Sequence, residues 1–189
     1  MATKNIMIVG VGGQGTLLTS RILGGITLAA GYDVKLSEVH GMAQRGGSVV
    51  TFVRYGEKVC EPIVEEGQAD VLIAFERLEA LRYAHFVKKD GVIIVNDQII
   101  DPMPVVIGDA QYPEGILENL EKKYRVLKID ALSEARKLGN TKAFNTVVLE
   151  LAAKHMDFSK EDWIKVIENT VPPKTVELNK QAFLAGYNM

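Results

Sequence analysis

Three short, wholly apolar runs place the strongest constraint on how this chain can fold. They are IMIV, VLIA and VIIV, at residues 6–9, 71–74 and 92–95. Runs of this length without polar alternation are typical of strands buried on both faces, as in a parallel sheet that helices cover. Segments of helical periodicity alternate with them, and this alternation predicts a doubly wound α/β fold.

The other elements follow from periodicity and from turn residues. After a first helix that ends at Gly31, we predict a second strand over 33–39 and a hairpin over 48–64 that turns at Gly56-Glu57. Further predicted elements are a helix over 76–91, a helix over 116–122, a strand over 124–131 and helices from Ser133 onward, one of them capped by Ser159 and the last beginning at its prolines. The sequence thus predicts a mostly parallel sheet with an inserted β-hairpin and C-terminal helices.

Length and charge limit the protein class. With 189 residues and no linker or repeat, we expect one domain over 1–189. A formal net charge of −2, with scattered lysines and arginines, argues against non-specific nucleic-acid binding. No stretch approaches the roughly 20 apolar residues that cross a bilayer. The N-terminus passes directly into the first strand and leaves no room for a signal peptide, so we expect a cytoplasmic protein without a membrane partner.

The cysteine and histidine content argues against metal centres. Cys60 is the single cysteine, which excludes an internal disulfide, an iron–sulfur cluster or a cysteine-based zinc site on this chain. The histidines His40, His85 and His155 lie far apart, without metal-ligand spacing. No catalytic triad or carboxylate pair can be assembled, and we predict no catalytic residue.

A glycine loop follows the first strand. Gly10, Gly12 and Gly15 satisfy G-x-G-x-x-G between a predicted strand and helix, where backbone N–H groups can face a phosphate. Gln14 adds a side-chain amide that could donate to a phosphate oxygen. Glu38, at the end of the second strand, is near the position of an acid that holds a ribose hydroxyl. The alternative is that the glycines only form a tight turn.

A second loop, HGMAQRGGS at 40–48, opens at the same predicted sheet edge. Gln44 and Arg45 would direct donors towards the ligand of the first loop. Gly46 and Gly47 keep the backbone thin enough for a ligand or a partner chain to approach. The alternative is a solvated loop.

A third candidate is LGNTKAFN, at 138–145. There Lys142 is either a point charge for a phosphate or an ordinary surface lysine.

Four segments together resemble one family. GVGGQGTLLTSRIL, SEVHGMAQRGGSVVTFVRYG, LGNTKAFNTVVL and LNKQAFLAGY are similar to the gamma subunit or domain of 2-oxoacid:ferredoxin oxidoreductases, especially the form acting on indolepyruvate. The likeness extends from about residue 5 to the C-terminus.

The resemblance implies a Rossmann-like, non-catalytic subunit of a complex that oxidatively decarboxylates indolepyruvate or another aryl pyruvate to an acyl-CoA. It implies that thiamine diphosphate and the iron–sulfur clusters belong to a large partner subunit, on which this chain packs, and that ferredoxin takes the electrons from the complex. It also implies that the gamma unit helps hold coenzyme A.

The same resemblance supplies a set of residues for the coenzyme A site. The set comprises Gly12, Gly13, Gln14, Gly15, Thr16, Gln44 and Arg45, with Lys142 as an extension. The Arg45 loop meets either the 3′-phosphate of coenzyme A or the partner subunit. We expect an apolar docking patch on the hairpin and the C-terminal helices.

Two other functions stay open at this point. One is a stand-alone oxidoreductase that binds NAD or FAD, which would be yellow or would bind NADH. The other is an interaction subunit that binds no ligand.

Overall fold

A six-stranded mixed sheet forms the centre of the protein. The computed structural model describes residues 2–41 and 46–187. The strands are β1 (Lys4–Val11), β2 (Asp33–His40), β3 (Ser48–Gly56), β4 (Ala69–Ala74), β5 (Val87–Asn96) and β6 (Arg125–Ile129). Their order across the sheet is β2-β3-β1-β4-β5-β6. The strands β1, β4, β5 and β6 are parallel, and β3 runs antiparallel to both of its neighbours. The prediction of a mostly parallel α/β sheet is confirmed.

Helices cover both faces of the sheet. They are α1 (Thr16–Ala29), α2 (Arg77–Tyr83), α3 (Met103–Val106), α4 (Ile116–Glu121), α5 (Ala131–Lys137), α6 (Phe144–Ala153), α7 (Lys160–Thr170) and α8 (Val176–Tyr187), with short 3-10 turns at 84–86, 141–143 and 173–175. The helices α1, α5, α6, α7 and α8 share one apolar cluster with one sheet face, and α2 and α4 share another with the opposite face. The apolar runs of the sequence are therefore buried from both sides.

The inserted hairpin lies at a different place from the predicted one. The structure pairs β2 with β3, in a register that joins Asp33 to Gly56 and His40 to Val49. The predicted partner over 57–64 is not a strand, because β2 and β1 occupy both edges of β3 and leave no free edge there. The turn at Gly56-Glu57 is therefore not a hairpin turn.

The helix predicted over 76–91 is shorter than expected. It ends at Tyr83, and β5 already begins at Val87, whose buried side chain lies where the strand pairs with Ala69. Pairing with a buried strand outweighs the local helical pattern in this segment.

Candidate functional site

The glycine loop and the second loop meet at the carboxyl edge of the sheet. The backbone N–H of Gly12 donates to the carbonyl oxygen of Gly47 at 2.8 Å, and the N–H of Gly46 lies 3.5 Å from the carbonyl oxygen of Gly12. The prediction that the two loops share one rim is confirmed for these glycines. The predicted donors Gln44 and Arg45 lie outside the described residues.

A cavity of about 370 Å³ opens beside this junction. Its lining residues come from the glycine loop, the start of α1, the end of β2 and the start of β3. They are Gly12, Gly13, Gly15, Thr16, Leu17, Glu38, His40 and Val49. Four of the five residues predicted in the first loop therefore border one space, together with the acid singled out on the second strand.

Helix α1 begins at this cavity without a cap. Its N-cap residue is Gly15, no side chain caps the helix, and its first turn contains no acid. The side chains of Glu76, Asp130 and Ser159 cap α2, α5 and α7. The helices α3, α4 and α6 also have no side-chain cap, but α1 is the helix whose first residues line this cavity. The first N–H groups of α1 and the positive end of its dipole are therefore left for a ligand, and an anion is the ligand that they favour.

Glu38 adds a negatively charged carboxylate to the cavity, in addition to the positive N-terminus of α1. Its Oε2 accepts hydrogen bonds from Oγ1 of Thr51 at 3.1 Å and from Oγ1 of Thr16 at 3.4 Å. A carboxylate at this place can accept from hydroxyl groups and repels a second anion. Phosphate oxygens therefore fit at the glycine loop, and sugar hydroxyls fit near Glu38.

The Gln14 side chain turns away from the cavity. Only 8% of the residue is exposed. Its Oε1 accepts from the N–H of Val11 at 2.7 Å, and its Nε2 donates to the carbonyl oxygen of Phe75 at 3.0 Å and to Oε1 of Gln98 at 3.2 Å. The structure thus differs from the expectation of a phosphate donor, because neighbouring strand ends already use both ends of this amide.

Two amides that sequence reasoning missed complete this network. Nδ2 of the buried Asn96 lies 3.1 Å from both the carbonyl oxygen of Phe75 and Oε1 of Gln98. Oδ1 of Asn96 accepts from the N–H of Ala131 at 3.1 Å. The network joins the ends of β1, β4 and β5 to the start of α5, and so fixes the glycine loop. The sequence signal that could have identified these amides is the change from the apolar run VIIV to the polar residues that follow it from Asn96.

Packing explains two of the three motif glycines. A Cβ atom on Gly10 would lie 2.9 Å from Oε1 of Gln14, and one on Gly15 would lie 2.3 Å from Nδ2 of Asn145. These glycines allow other parts of the protein to approach the loop closely. The remaining motif glycine, Gly12, lines the cavity.

Lys142 stands near the site without bordering the cavity. It is exposed, and its backbone N–H donates to Oδ1 of Asn140 at 2.9 Å. Three residues later, Asn145 contacts the glycine loop. Lys142 is therefore in the neighbourhood, but its side chain is not among the described residues that line the cavity.

A smaller cavity of about 80 Å³ lies behind the second loop. Two buried acids line it, Glu76 and Glu79, and sequence reasoning did not identify either one. The Ser48 hydroxyl donates to the Glu79 carboxylate in a short hydrogen bond. Burial raises the pKa of Glu79, and the bond from Ser48 and the charge of Arg82 oppose that shift. These contacts attach the start of β3 to α2.

Within residues 2–41 and 46–187, no cluster of three or more His, Cys, Asp or Glu side chains could hold a metal ion. Across the same described ranges, no helix combines the length and the apolar character needed to cross a membrane.

Comparison with known proteins places the chain in one family. Residues 5–189 match the family described as pyruvate ferredoxin/flavodoxin oxidoreductase. The indolepyruvate oxidoreductase subunit IorB of Thermococcus kodakarensis is 41% identical, over 98% of this chain and 95% of that protein.

Solved structures share the fold at lower identity. The gamma subunit of a keto/oxoacid ferredoxin oxidoreductase from Geobacter sulfurreducens superposes with a TM-score of 0.73, at 24% identity, over 98% of this chain and 96% of that one. A 2-oxoglutarate:ferredoxin oxidoreductase from Magnetococcus marinus superposes with a TM-score of 0.74, at 18% identity. That structure was solved with 2-oxoglutarate, coenzyme A and succinyl-CoA bound. The match covers all of this chain and 31% of that one.

Proposed function

The chain belongs to the pyruvate ferredoxin/flavodoxin oxidoreductase family as a small oxidoreductase subunit, and from this we propose that it is the non-catalytic, gamma-type subunit of a cytoplasmic indolepyruvate:ferredoxin oxidoreductase. The proposed reaction is the oxidative decarboxylation of indolepyruvate or another aryl pyruvate to an acyl-CoA. The name of the T. kodakarensis relative supports the substrate.

We propose that the large partner subunit carries thiamine diphosphate and the iron–sulfur clusters and passes electrons to ferredoxin. The sequence supports this division of labour, because a chain with the single cysteine Cys60 cannot supply the cysteines of a cluster.

We propose that the cavity at the start of α1 helps hold coenzyme A. The observation that carries this proposal is the uncapped N-terminus of α1, which opens into a space lined by Gly12, Gly13 and Gly15. Backbone N–H groups there suit the phosphates, and Glu38 suits a ribose hydroxyl. A distant relative of the same fold was solved with coenzyme A bound, in agreement with this proposal.

Four further side chains are assigned secondary roles. Gln44 and Arg45 extend the site from the second loop, where Arg45 meets either the 3′-phosphate or the partner subunit. Lys142 supplies a positive charge at the outer margin. The proposed role of Gln14 is to hold the loop through its network, because its amide is engaged by Val11, Phe75 and Gln98.

Leu17 offers a direct test of the coenzyme A site. It lines the cavity in the first turn of α1 and is 48% exposed. Leu17→Glu places a negative charge where the phosphates would lie, and the helix dipole tolerates an acid at this end. We expect coenzyme A affinity of the assembled complex to fall at least about tenfold, with unfolding free energy unchanged or slightly raised. Isothermal titration calorimetry and urea unfolding measure the two quantities.

Two matched variants separate charge from shape and from position. Leu17→Gln has similar size without charge and should bind better than Leu17→Glu. Leu28→Glu lies in the last turn of the same helix, is 59% exposed in the wild type, and should leave affinity unchanged. Equal affinity for all variants would contradict the proposed site.

Titrations with other ligands separate the remaining functions. Dephospho-coenzyme A lacks the 3′-phosphate, so Arg45→Gln should lower the affinity for coenzyme A and leave the affinity for dephospho-coenzyme A unchanged if Arg45 meets that phosphate.

Three further measurements test the alternative functions. Tight binding of NADH or FAD to the isolated chain would favour a stand-alone dinucleotide enzyme. No heat with any ligand, in the chain or in the complex, would favour a ligand-free interaction subunit. Viologen reduction by the isolated chain would contradict a non-catalytic role.

A further inference from the structure

An apolar ridge follows the end of β5. Four large side chains are 50–68% exposed within nine residues, and they belong to Ile99, Met103, Val106 and Ile107. Helix α3, inside this segment, has no buried residue. Isolated apolar side chains are ordinary on a surface, but a group of four on one short segment marks a surface that associates. We call residues 99–109 the ridge.

The charges of the ridge and of the residues that directly follow it have one sign. From Asp97 to Glu121 the sequence contains six acids and no lysine, arginine or histidine. Asp101, Asp109 and Glu114 are exposed. Of the other acids, Asp97 pairs with Arg77 and Glu121 pairs with Lys128. Two arginines of α2 also lie beside the ridge, and each is in an ion pair, Arg77 with Asp97 and Arg82 with Glu79. The ridge therefore combines apolar side chains with exposed acids of its own, and its complement is an apolar surface with lysines or arginines around it.

The ridge is anchored to the body of the protein before any partner binds. The N–H of Ile100 donates to Oε1 of the buried Glu76 at 3.3 Å, and the hydroxyl of Tyr112 donates to the same oxygen at 2.5 Å. The N–H of Arg77 donates to the carbonyl oxygen of Gln98 at 3.1 Å. A surface held at both ends loses little conformational entropy on association.

The ridge is also continuous with the candidate site. Ile100 and Pro102 line the small cavity together with Gly46, in the second loop, and Ser48, the first residue of β3. A protein that covers the ridge therefore reaches the second loop at the same sheet edge.

The exposed apolar side chains only partly follow the docking patch expected from the sequence. Within the hairpin predicted over 48–64, Ile63 is the exposed large hydrophobic residue, whereas the exposed Leu36 and Val39 lie on β2, outside that predicted hairpin. For α7 and α8, the side chains that the structure describes include no exposed large hydrophobic residue. The ridge carries the largest exposed fractions instead.

From these observations we infer that the ridge docks on the large subunit of the complex, against an apolar surface rimmed with basic residues. The inference rests on the proposed function, which makes this chain a subunit. Beyond that function, the inference identifies which surface of this chain docks and predicts basic residues on the partner's surface. It also explains why the ligand loops would lie at the interface.

Substitution on the ridge tests the inference in the complex. Met103→Glu with Val106→Glu adds two charges to exposed positions that support no core, so the chain should fold normally by circular dichroism. Affinity for the large subunit, measured by titration calorimetry, should fall at least about tenfold. Asp101→Lys with Asp109→Lys should slow association and reduce the effect of salt on its rate. Leu28→Glu, at the far end of α1, should leave both quantities unchanged.

The outcomes distinguish the two proposals. If the wild-type chain does not bind the large subunit, the proposed function fails. If the wild type binds and the ridge variants bind equally well, only the ridge assignment fails. If light scattering shows a wild-type dimer that the ridge variants break while large-subunit binding persists, the ridge joins two copies of this chain, and the inference is overturned.

Discussion

Gly15 shows how packing and ligand access coincide in one residue. Its φ of +92° is a conformation that side chains with a Cβ rarely adopt, and Nδ2 of Asn145 occupies the space beside it. Asn145 is itself fixed, since its Oδ1 accepts from the N–H of Thr146 at 2.9 Å. The absence of a side chain also leaves the first turn of α1 uncapped. The absence of a side chain at Gly15 therefore allows Asn145 to pack closely and leaves the N-terminus of α1 accessible to an anion.

A pair of glycine variants separates backbone strain from packing. Gly13→Ala meets only strain, about 1–3 kcal/mol, because a Cβ there, at φ +103°, finds nothing within 4 Å. Gly15→Ala has comparable strain and must also displace Asn145, so its loss of unfolding free energy should be larger. Urea unfolding of both variants measures the difference. Equal losses would mean that Asn145 moves freely.

Helix α6 carries a buried charge that its own element does not neutralise well. Glu150 is fully buried, and neither carboxylate oxygen has a hydrogen-bond partner among the described residues. Nζ of Lys154, one turn later, lies 3.4 Å from Oε1. Burial raises the pKa of Glu150, and Lys154 opposes the shift. The ionised form is therefore costlier in the folded state than in the unfolded chain.

This shift predicts a pH-dependent gain from Glu150→Gln. A carboxyl group with a raised folded-state pKa stabilises the fold below its unfolded pKa of about 4.3, and that contribution is lost as the pH rises through the folded pKa. The amide variant does not ionise. The variant should therefore gain stability relative to wild type as the pH rises above about 4.3, by up to about 1.4 kcal/mol for each pH unit until the folded carboxyl group ionises.

Urea unfolding across this pH range provides the measurement, and Glu177→Gln is the control. Glu177 is on α8 with 74% of its side chain exposed, so its variant should track wild type at every pH. A Glu150→Gln difference that stays constant with pH would contradict burial as the cause.

On the scale of the whole molecule, the sheet couples two apolar clusters. Residues of the same strands alternate between them, as Ile6 and Ile8 of β1 belong to one cluster and Met7 and Val9 to the other. Neither helical layer can leave without exposing one face of the same strands. This coupling favours cooperative unfolding.

We therefore expect one unfolding transition for the isolated chain. Trp163, the single tryptophan, is buried under the helical layer and stacks on Phe183, with ring centroids 5.7 Å apart. Its fluorescence reports that layer, and far-UV circular dichroism reports all elements. The two urea curves should coincide. Separate midpoints would contradict the prediction of one domain over 1–189.

The sequence by itself determined the class of the fold and the location of the glycine loop. Apolar runs such as 71–74 predict buried strands because their pattern is local and strong. The capping pair Ser159 and Asp162 predicted the start of α7 for the same reason, and Oγ of Ser159 does accept from the N–H of Asp162 at 3.2 Å. The meeting of the glycine loop with Gly46 and Gly47 also followed, since parallel strands carry their following loops to one edge.

Only the tertiary structure decided which partners those elements found. Residues 48–56 read as half of a hairpin, but the sheet places them between β2 and β1, with both edges paired. The sequence predicted that Gln14 is a free donor. In the structure its amide donates to Phe75 and Gln98, which follow the strands β4 and β5. In each case the deciding contacts join distant parts of the sequence, as between Val11 and Ser48 or between Gln14 and Phe75. A local sequence pattern shows that a residue can form a strand or a hydrogen bond. Which residue it pairs with depends on the tertiary structure, because the partner is distant in the sequence.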